Sequence, residues 1–155
     1  MRYYLNIGTN LGDRQENLRR AIEALTGDTT GWVVSPVVES EPWGFESENR
    51  FMNLGMRLSS DLEPQAMLDR IHEIEHYLGS ASHRDEHGGY IDRLVDIDIV
   101  AIDDMVINTD TLQVPHPHLP ERDFFLKPMI QLAPDWRHPV IGLTASQMLE
   151  AIEPE

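Results

Sequence analysis

The segment Arg93-Leu94-Val95-Asp96-Ile97-Asp98-Ile99-Val100 holds two carboxylates one residue apart inside a largely apolar run. On an extended strand, residues i and i+2 project from the same face. Val95, Ile97, Ile99 and Ala101 are therefore expected on one side, and Leu94, Asp96, Asp98, Val100 and Ile102 on the other. The two carboxylates then share a face about 7 Å apart, at roughly 3.3 Å of rise per residue. Aspartate disfavours strands, and a pair flanked by isoleucine and valine is costly unless something offsets the charge. A hard cation does this: magnesium takes oxygen ligands at about 2.1 Å and keeps positions for water and phosphate. Two such ions about 3.5–4 Å apart, bridged by carboxylates, recur in phosphoryl-transfer sites. Two exposed strand residues, or partners of a neighbouring arginine, would show the same pattern, and the segment alone leaves those readings open.

The charge balance bears on this choice. The chain of 155 residues carries 27 acidic and 12 basic residues, a formal net charge of −15. Nucleic-acid binding is driven by neutralising phosphates, so a chain this acidic is expected to repel nucleic acid. Free nucleotides are repelled as well unless a bound cation or local basic residues reverse the field. Phosphate chemistry here therefore calls for a bound cation. Cysteine is absent, which excludes a disulfide framework and thiolate chemistry.

A second constellation competes. His72-Glu73-Ile74-Glu75-His76 fits the H-E-x-x-H pattern, in which two histidines one helical turn apart hold zinc and the glutamate acts as general base. No clear third ligand follows at metallopeptidase spacing, and helices rich in His and Glu produce the pattern by chance. A zinc metallopeptidase using His72, Glu73 and His76 is the alternative from a different class.

These residues need elements to hold them. Tyr3, Leu5 and Ile7 alternate with Tyr4 and Asn6, a strand signal. A turn at 8–12 leads to Asp13, whose spacing to Glu16 suits a helix cap, and Leu18, Ala21, Ile22 and Leu25 form a helical stripe that Gly27 can end. Trp32 to Val38 is β-prone, and Met52, Leu54, Met56 and Leu58 alternate with Asn53, Gly55 and Arg57. Pro64 can open a second helix with the stripe Met67, Leu68, Ile71, Ile74 and Leu78. A polar segment over 80–90 reads as a loop, and Leu94 to Ile102 is the strongest strand signal, which Asp103-Asp104 could turn back into Val106-Ile107. Short helical pieces follow near 124–132 and 145–152. The order β-α-β-β-α-β predicts an α+β fold of the ferredoxin-like kind, an antiparallel sheet with helices on one face, in a single domain over 1–155. The start, Met1-Arg2-Tyr3-Tyr4, has no apolar signal region, and no run of about 18 apolar residues occurs. A cytoplasmic protein with no membrane contact and no obligate protein partner is expected.

Taken together, these blocks resemble the 6-hydroxymethyl-7,8-dihydropterin pyrophosphokinase family. Its signature places an arginine shortly before an Asp-x-Asp strand, as Arg93 stands before Asp96 and Asp98. Leu5 to Gly12 resembles the family's opening strand and turn. Glu41-Pro42-Trp43-Gly44, then Phe51-Met52-Asn53, resembles its pterin-facing loop and strand, and Val114-Pro115-His116 with Arg122 and Phe124 its late nucleotide and pterin segment. The likeness runs from about Tyr3 to Leu132. It implies ATP as co-substrate, two magnesium ions, and attack of the pterin hydroxymethyl oxygen on the β-phosphorus of ATP with release of AMP. It implies Asp96 and Asp98 as metal ligands and, with Arg93, as catalytic residues. It implies Pro42, Trp43, Asn53 and Phe124 around the pterin, and Glu75, Arg93, His116 and Arg122 on the nucleotide.

The chain also departs from the pattern. Where relatives often carry arginines in the loop after the second helix, Ser80 and Ser82 stand here, and only Arg84 is basic nearby. Ile91-Asp92 replaces a small-residue–proline pair, and Ser40-Glu41-Pro42 replaces Thr-Pro-Pro. Arg84, helped by His83 or His87, is expected to take over part of the closing role on ATP. A non-catalytic ferredoxin-like module is the third reading, against which stands the joint presence of Asp96, Asp98, Asn53, Arg93, His116 and Arg122.

Overall fold

The computed structural model describes residues 1–10, 12–27, 31–40, 51–79 and 95–152. The elements run β1 (Arg2–Thr9), α1 (Arg14–Thr26), β2 (Trp32–Val34), β3 (Val38–Ser40), β4 (Phe51–Ser59), α2 (Pro64–Tyr77), β5 (Asp96–Ile102), β6 (Ile107–Asn108), β7 (Gln113–Val114), a 3₁₀ turn (Leu119–Glu121), α3 (Asp123–Leu132) and α4 (Ala145–Ile152). The main sheet has the order β2-β4-β1-β5, with β3 also on β4, and its pairings are antiparallel. This is the expected βαββαβ core. The single β-prone stretch 32–38 is two short strands, because Pro36 has no N–H to donate to a ladder. Ser35 bridges the break: its N–H donates to Gly55 O at 2.9 Å, and its Oγ accepts from Gly55 N at 2.8 Å.

The helices start and stop where local chemistry directs. Asp13 caps α1 by accepting from Glu16 N at 3.1 Å, and Gly27 ends it at φ 50°. The reciprocal half of a capping box is absent, because the Glu16 carboxylate pairs with Arg19. Leu18, Ala21 and Leu25 of α1 and Met67, Ile71 and Ile74 of α2 are buried against Tyr3, Leu5 and Ile7. Each fully buried aliphatic side chain there contributes about 1.5–3 kcal/mol relative to exposure.

The opposite face is covered too. Tyr4, Val100 and Ala101 form a second core with Leu119, Phe125, Leu126, Met129, Leu132, Ala145 and Met148. The helices α3 and α4 thus make a further layer, beyond the single-faced core that the strand pattern suggests. The simple alternation along β5 also needs correction. Register shifts between Tyr4 and Leu5, where Tyr4 pairs with Ala101 and Leu5 with Ile99, so Val100 is an extra, bulged residue. Past the bulge the faces exchange: Ala101 joins Val100 on the aspartate side, and Ile102 returns to the core under α1 and α2. The tail after Asp103 does not fold back onto β5; β6 pairs with β7 in a separate two-stranded hairpin. Among the described residues no helix is long and apolar enough to cross a membrane.

Candidate active site

The register builds a small polar floor. Gly8 lies opposite Asn53 on one side and Asp96 on the other, and Asn6 lies opposite Gly55 and Asp98. Directly opposed residues share a face. Two rows therefore cross three strands: Asn53–Gly8–Asp96 and Gly55–Asn6–Asp98. Asp96 and Asp98 do stand on one face of β5, half-buried at its outer edge.

The second layer is clamped onto this floor by side chains of the sheet. Asn6 Nδ2 donates to Phe124 O at 2.9 Å, at the start of α3. Arg57 Nη1 donates to Leu132 O at 3.0 Å, at its end, where a cation is favoured by the helix dipole. Between them Gly55 admits the helix, since a Cβ there would lie 2.6 Å from Pro128 Cβ and 3.0 Å from Leu132 Cδ1. The clamp fixes the segment that carries Arg122 and Phe124.

Arg122 is half-buried and stacked, with its guanidinium carbon 5.6 Å from the Phe124 ring centroid and 5.2 Å from that of Phe125. The two rings meet edge to face at 5.0 Å. Burial lowers the guanidinium pKa, and the charges of Asp98, Asp96 and Glu121 oppose this. Arginine stays protonated throughout, so a fixed cation faces the aspartate pair.

His116 ends the segment after β7. Its backbone N–H donates to Val100 O at 2.8 Å, and its ring packs on Phe125 at 4.9 Å. Nδ1 accepts from His118 N at 3.1 Å, which leaves the ring proton on Nε2, 3.9 Å from Asp98 Oδ1. Burial, reinforced by Arg122 and His118, pushes its pKa down to about 4. The ring is therefore neutral at pH 7, and its approach to Asp98 is not an ion pair.

From the other side of the β5 edge, α2 sends Glu75, whose Oε2 accepts from Ile97 N at 2.9 Å. A cleft of about 360 Å³ lies between α2, β5 and the β6–β7 hairpin, lined among others by His72, Glu75, Asp96, Asp98, Asp110 and His116. Four of these are carboxylates, so an anion enters only with a cation. The donor set fits magnesium, which is satisfied by one or two carboxylates and completes its shell with water and phosphate oxygens.

The structure thus brings together Asp96, Asp98, Glu75, His116 and Arg122, with Asn53 and Phe124 on the adjoining floor and wall. Pro42, Trp43, Arg84 and Arg93 lie outside the described residues, as do His83 and His87. Among the described residues no group of three or more His, Asp or Glu side chains is placed to hold a metal ion by itself. His72 and His76 are both exposed on α2 and only His72 lines the cleft, so among the described residues the zinc-peptidase alternative has no ligand set. Sequence reasoning missed Asn6 and Gly8 as floor residues, although the strand alternation that pairs Asp96 with Asp98 applies equally to them. It also missed the hairpin wall at 110–113, which had no local signal.

The family model for 7,8-dihydro-6-hydroxymethylpterin-pyrophosphokinase (HPPK) matches residues 4–134. The chain belongs to this family. The match takes in β1 from Tyr4 onward, the floor of the site and the whole of α3, and stops short of α4. Similar proteins include 2-amino-4-hydroxy-6-hydroxymethyldihydropteridine pyrophosphokinase of Aquifex aeolicus, 39% identical over 137 residues, spanning 88% of this chain and 83% of that one. The protein of the same name from Porphyromonas gingivalis is 40% identical over 138 residues, spanning 88% and 92%. A solved structure described as HPPK-DHPS in complex with substrates superposes with a TM-score of 0.70 at 12% identity, over 97% of this chain and 43% of that chain. At that identity the likeness speaks for the fold.

Proposed function

We propose that this chain, acting as a single pyrophosphokinase domain, transfers pyrophosphate from ATP to 6-hydroxymethyl-7,8-dihydropterin, giving the pterin diphosphate and AMP in folate biosynthesis. Family membership supports the reaction and ATP as co-substrate. The observation that supports this site is the row Asn53–Gly8–Asp96, in which the amide of Asn53 and the carboxylate of Asp96 share one face of the sheet, as a ring partner and a metal ligand would need to.

In this reading Asp96 and Asp98 hold two magnesium ions. When bound, these neutralise phosphate charge and polarise the group being transferred. The chain's own residues position the partners. Asn53, an amide able to donate and accept, meets the polar edge of the pterin, and Phe124 offers its flat face. Arg122 supplies a fixed cation beside the carboxylates, and neutral His116 offers its Nε2–H to a phosphate oxygen. Glu75, tied to Ile97 N, holds the β5 edge and the nucleotide side of the cleft. Phosphoryl-type transfer asks little covalent chemistry of a protein beyond in-line positioning and neutralisation of developing charge. Pro42, Trp43 and Arg93 join the pterin and phosphate contacts on the strength of the resemblance, and Arg84 takes part of the closing role on ATP where the chain departs from it. The proposal includes a cytoplasmic location, a compartment that supplies ATP. The test is release of AMP and appearance of the pterin diphosphate when the protein meets ATP, magnesium and the hydroxymethyl pterin. No pterin-dependent AMP would overturn the reading.

A further inference from the structure

Gly8 occupies the centre of the floor, between the residue read as the pterin's amide partner and the first metal-binding carboxylate. Its φ is not among the positive values of this chain, so its backbone would accept alanine. What it lacks is space. A Cβ at Gly8 would lie 2.6 Å from Asn53 Oδ1, 3.5 Å from Asn53 Cγ and 3.8 Å from Phe51 Cδ1. The Asn53 amide therefore leans across β1 and lies over Gly8 itself. Gly55 makes an instructive contrast: there the obstacle is the ring of Pro128 within α3, which cannot move without the helix. At Gly8 the obstacle is the terminal oxygen of one side chain, which can turn about its own torsions without a shift of the backbone. A methyl group at position 8 is thus tolerable to the fold and intolerable to the present orientation of the amide.

Neighbouring strands stand about 4.8 Å apart, so Asn53 and Asp96 are separated by about 10 Å with Gly8 midway. A flat heterocycle bound by the amide, with its reactive arm reaching the carboxylates, has to cross this gap close to the β1 backbone. Any side chain at position 8 would fill the gap from below.

We propose that Gly8 is a positioning residue for the pterin: it leaves the seat over which the ring lies and lets Asn53 reach that seat. This rests on the pyrophosphokinase reading given above. Gly8→Ala is expected to raise KM for the hydroxymethyl pterin by at least about tenfold, with KM for ATP within about twofold and the melting temperature within about 3 °C of the unaltered protein. Because Gly8 acts in part through Asn53, part of its effect is lost in an Asn53→Ala background, since residues in contact couple rather than add. The experiment is steady-state kinetics of the unaltered protein, Gly8→Ala, Asn53→Ala and the double variant, together with fluorescence titration of the pterin and thermal melts. An unchanged pterin KM and affinity in Gly8→Ala, full additivity with Asn53→Ala, or unfolding of Gly8→Ala overturns the proposal. Failure of the unaltered protein to release AMP sinks the pyrophosphokinase reading instead, so the two failures are told apart.

Discussion

Gly55→Ala probes the link between the fold's second layer and the site. Ordinary carbon contacts begin near 3.4 Å, whereas the new Cβ would stand 2.6 Å from Pro128 Cβ and 3.0 Å from Leu132 Cδ1. The helix α3 must therefore withdraw by the better part of an ångström. Overpacking of this kind costs about 1–3 kcal/mol. For a domain of this size each kcal/mol lowers the melting temperature by about 2–4 °C, so a fall of roughly 2–12 °C is expected. The catalytic consequence comes through the clamp. Phe124 O accepts from Asn6 Nδ2 at 2.9 Å, and Arg57 holds Leu132 O at the other end. A retreating helix stretches these bonds and carries Phe124 and Arg122 away from the floor. A misplacement of about 1 Å at a reacting centre can cost about a hundredfold in rate. Turnover in AMP release should therefore fall by more than about tenfold at a temperature where the variant is fully folded, as checked by circular dichroism. A melting temperature within 1 °C of the unaltered protein, or normal turnover in a variant that melts early, would refute the coupling between α3 packing and the site.

Two further outcomes follow from the same geometry. Arg122→Lys keeps the charge but loses the planar stack on Phe124 and Phe125, so turnover should drop by about tenfold or more; unchanged kinetics would show that charge alone suffices. His138 is buried, its Nδ1 accepts from Val140 N and Ile141 N at 3.1 Å each, and burial holds its pKa below the ordinary value. Between that lowered pKa and about 6.5, the unfolded chain binds the extra proton, so stability rises with pH and is lost as pH falls below about 6.5. The stability gap between the unaltered protein and His138→Gln should then shrink from pH 7.5 to pH 5.5 in denaturant titrations, and a gap independent of pH would contradict this.

Much of the fold was legible because its signals are local. The alternation in β1 and β4, the apolar stripes of α1 and α2, and the cap at Asp13 each depend on a few neighbouring residues. The pairing of Asp96 and Asp98 on one face was legible for the same reason. What stayed hidden depends on contacts far apart in the chain. The bulge at Val100 is a property of the β1–β5 register, and no residue type within β5 announces it. The layer of α3 and α4 was foreshadowed only by Tyr4, an apolar residue on the strand face that also carries Asn6 and Gly8. The stack of Arg122 on two phenylalanines needs the clamp from Asn6 and Arg57, which lie 118 and 75 residues from their partners. The H-E-x-x-H pattern shows the converse hazard: His72 and His76 have the right spacing, yet only His72 reaches the cleft, where Glu75 from the same helix is tied to β5.

The most direct test of the account is AMP release with ATP, magnesium and the hydroxymethyl pterin by Asp96→Ala and Asp98→Ala beside the unaltered protein. Each change removes a carboxylate that holds the charge-neutralising metal, so each variant should lose at least about a hundredfold in turnover while keeping its fold. Turnover like that of the unaltered protein in either variant would contradict the role of the aspartate pair on β5.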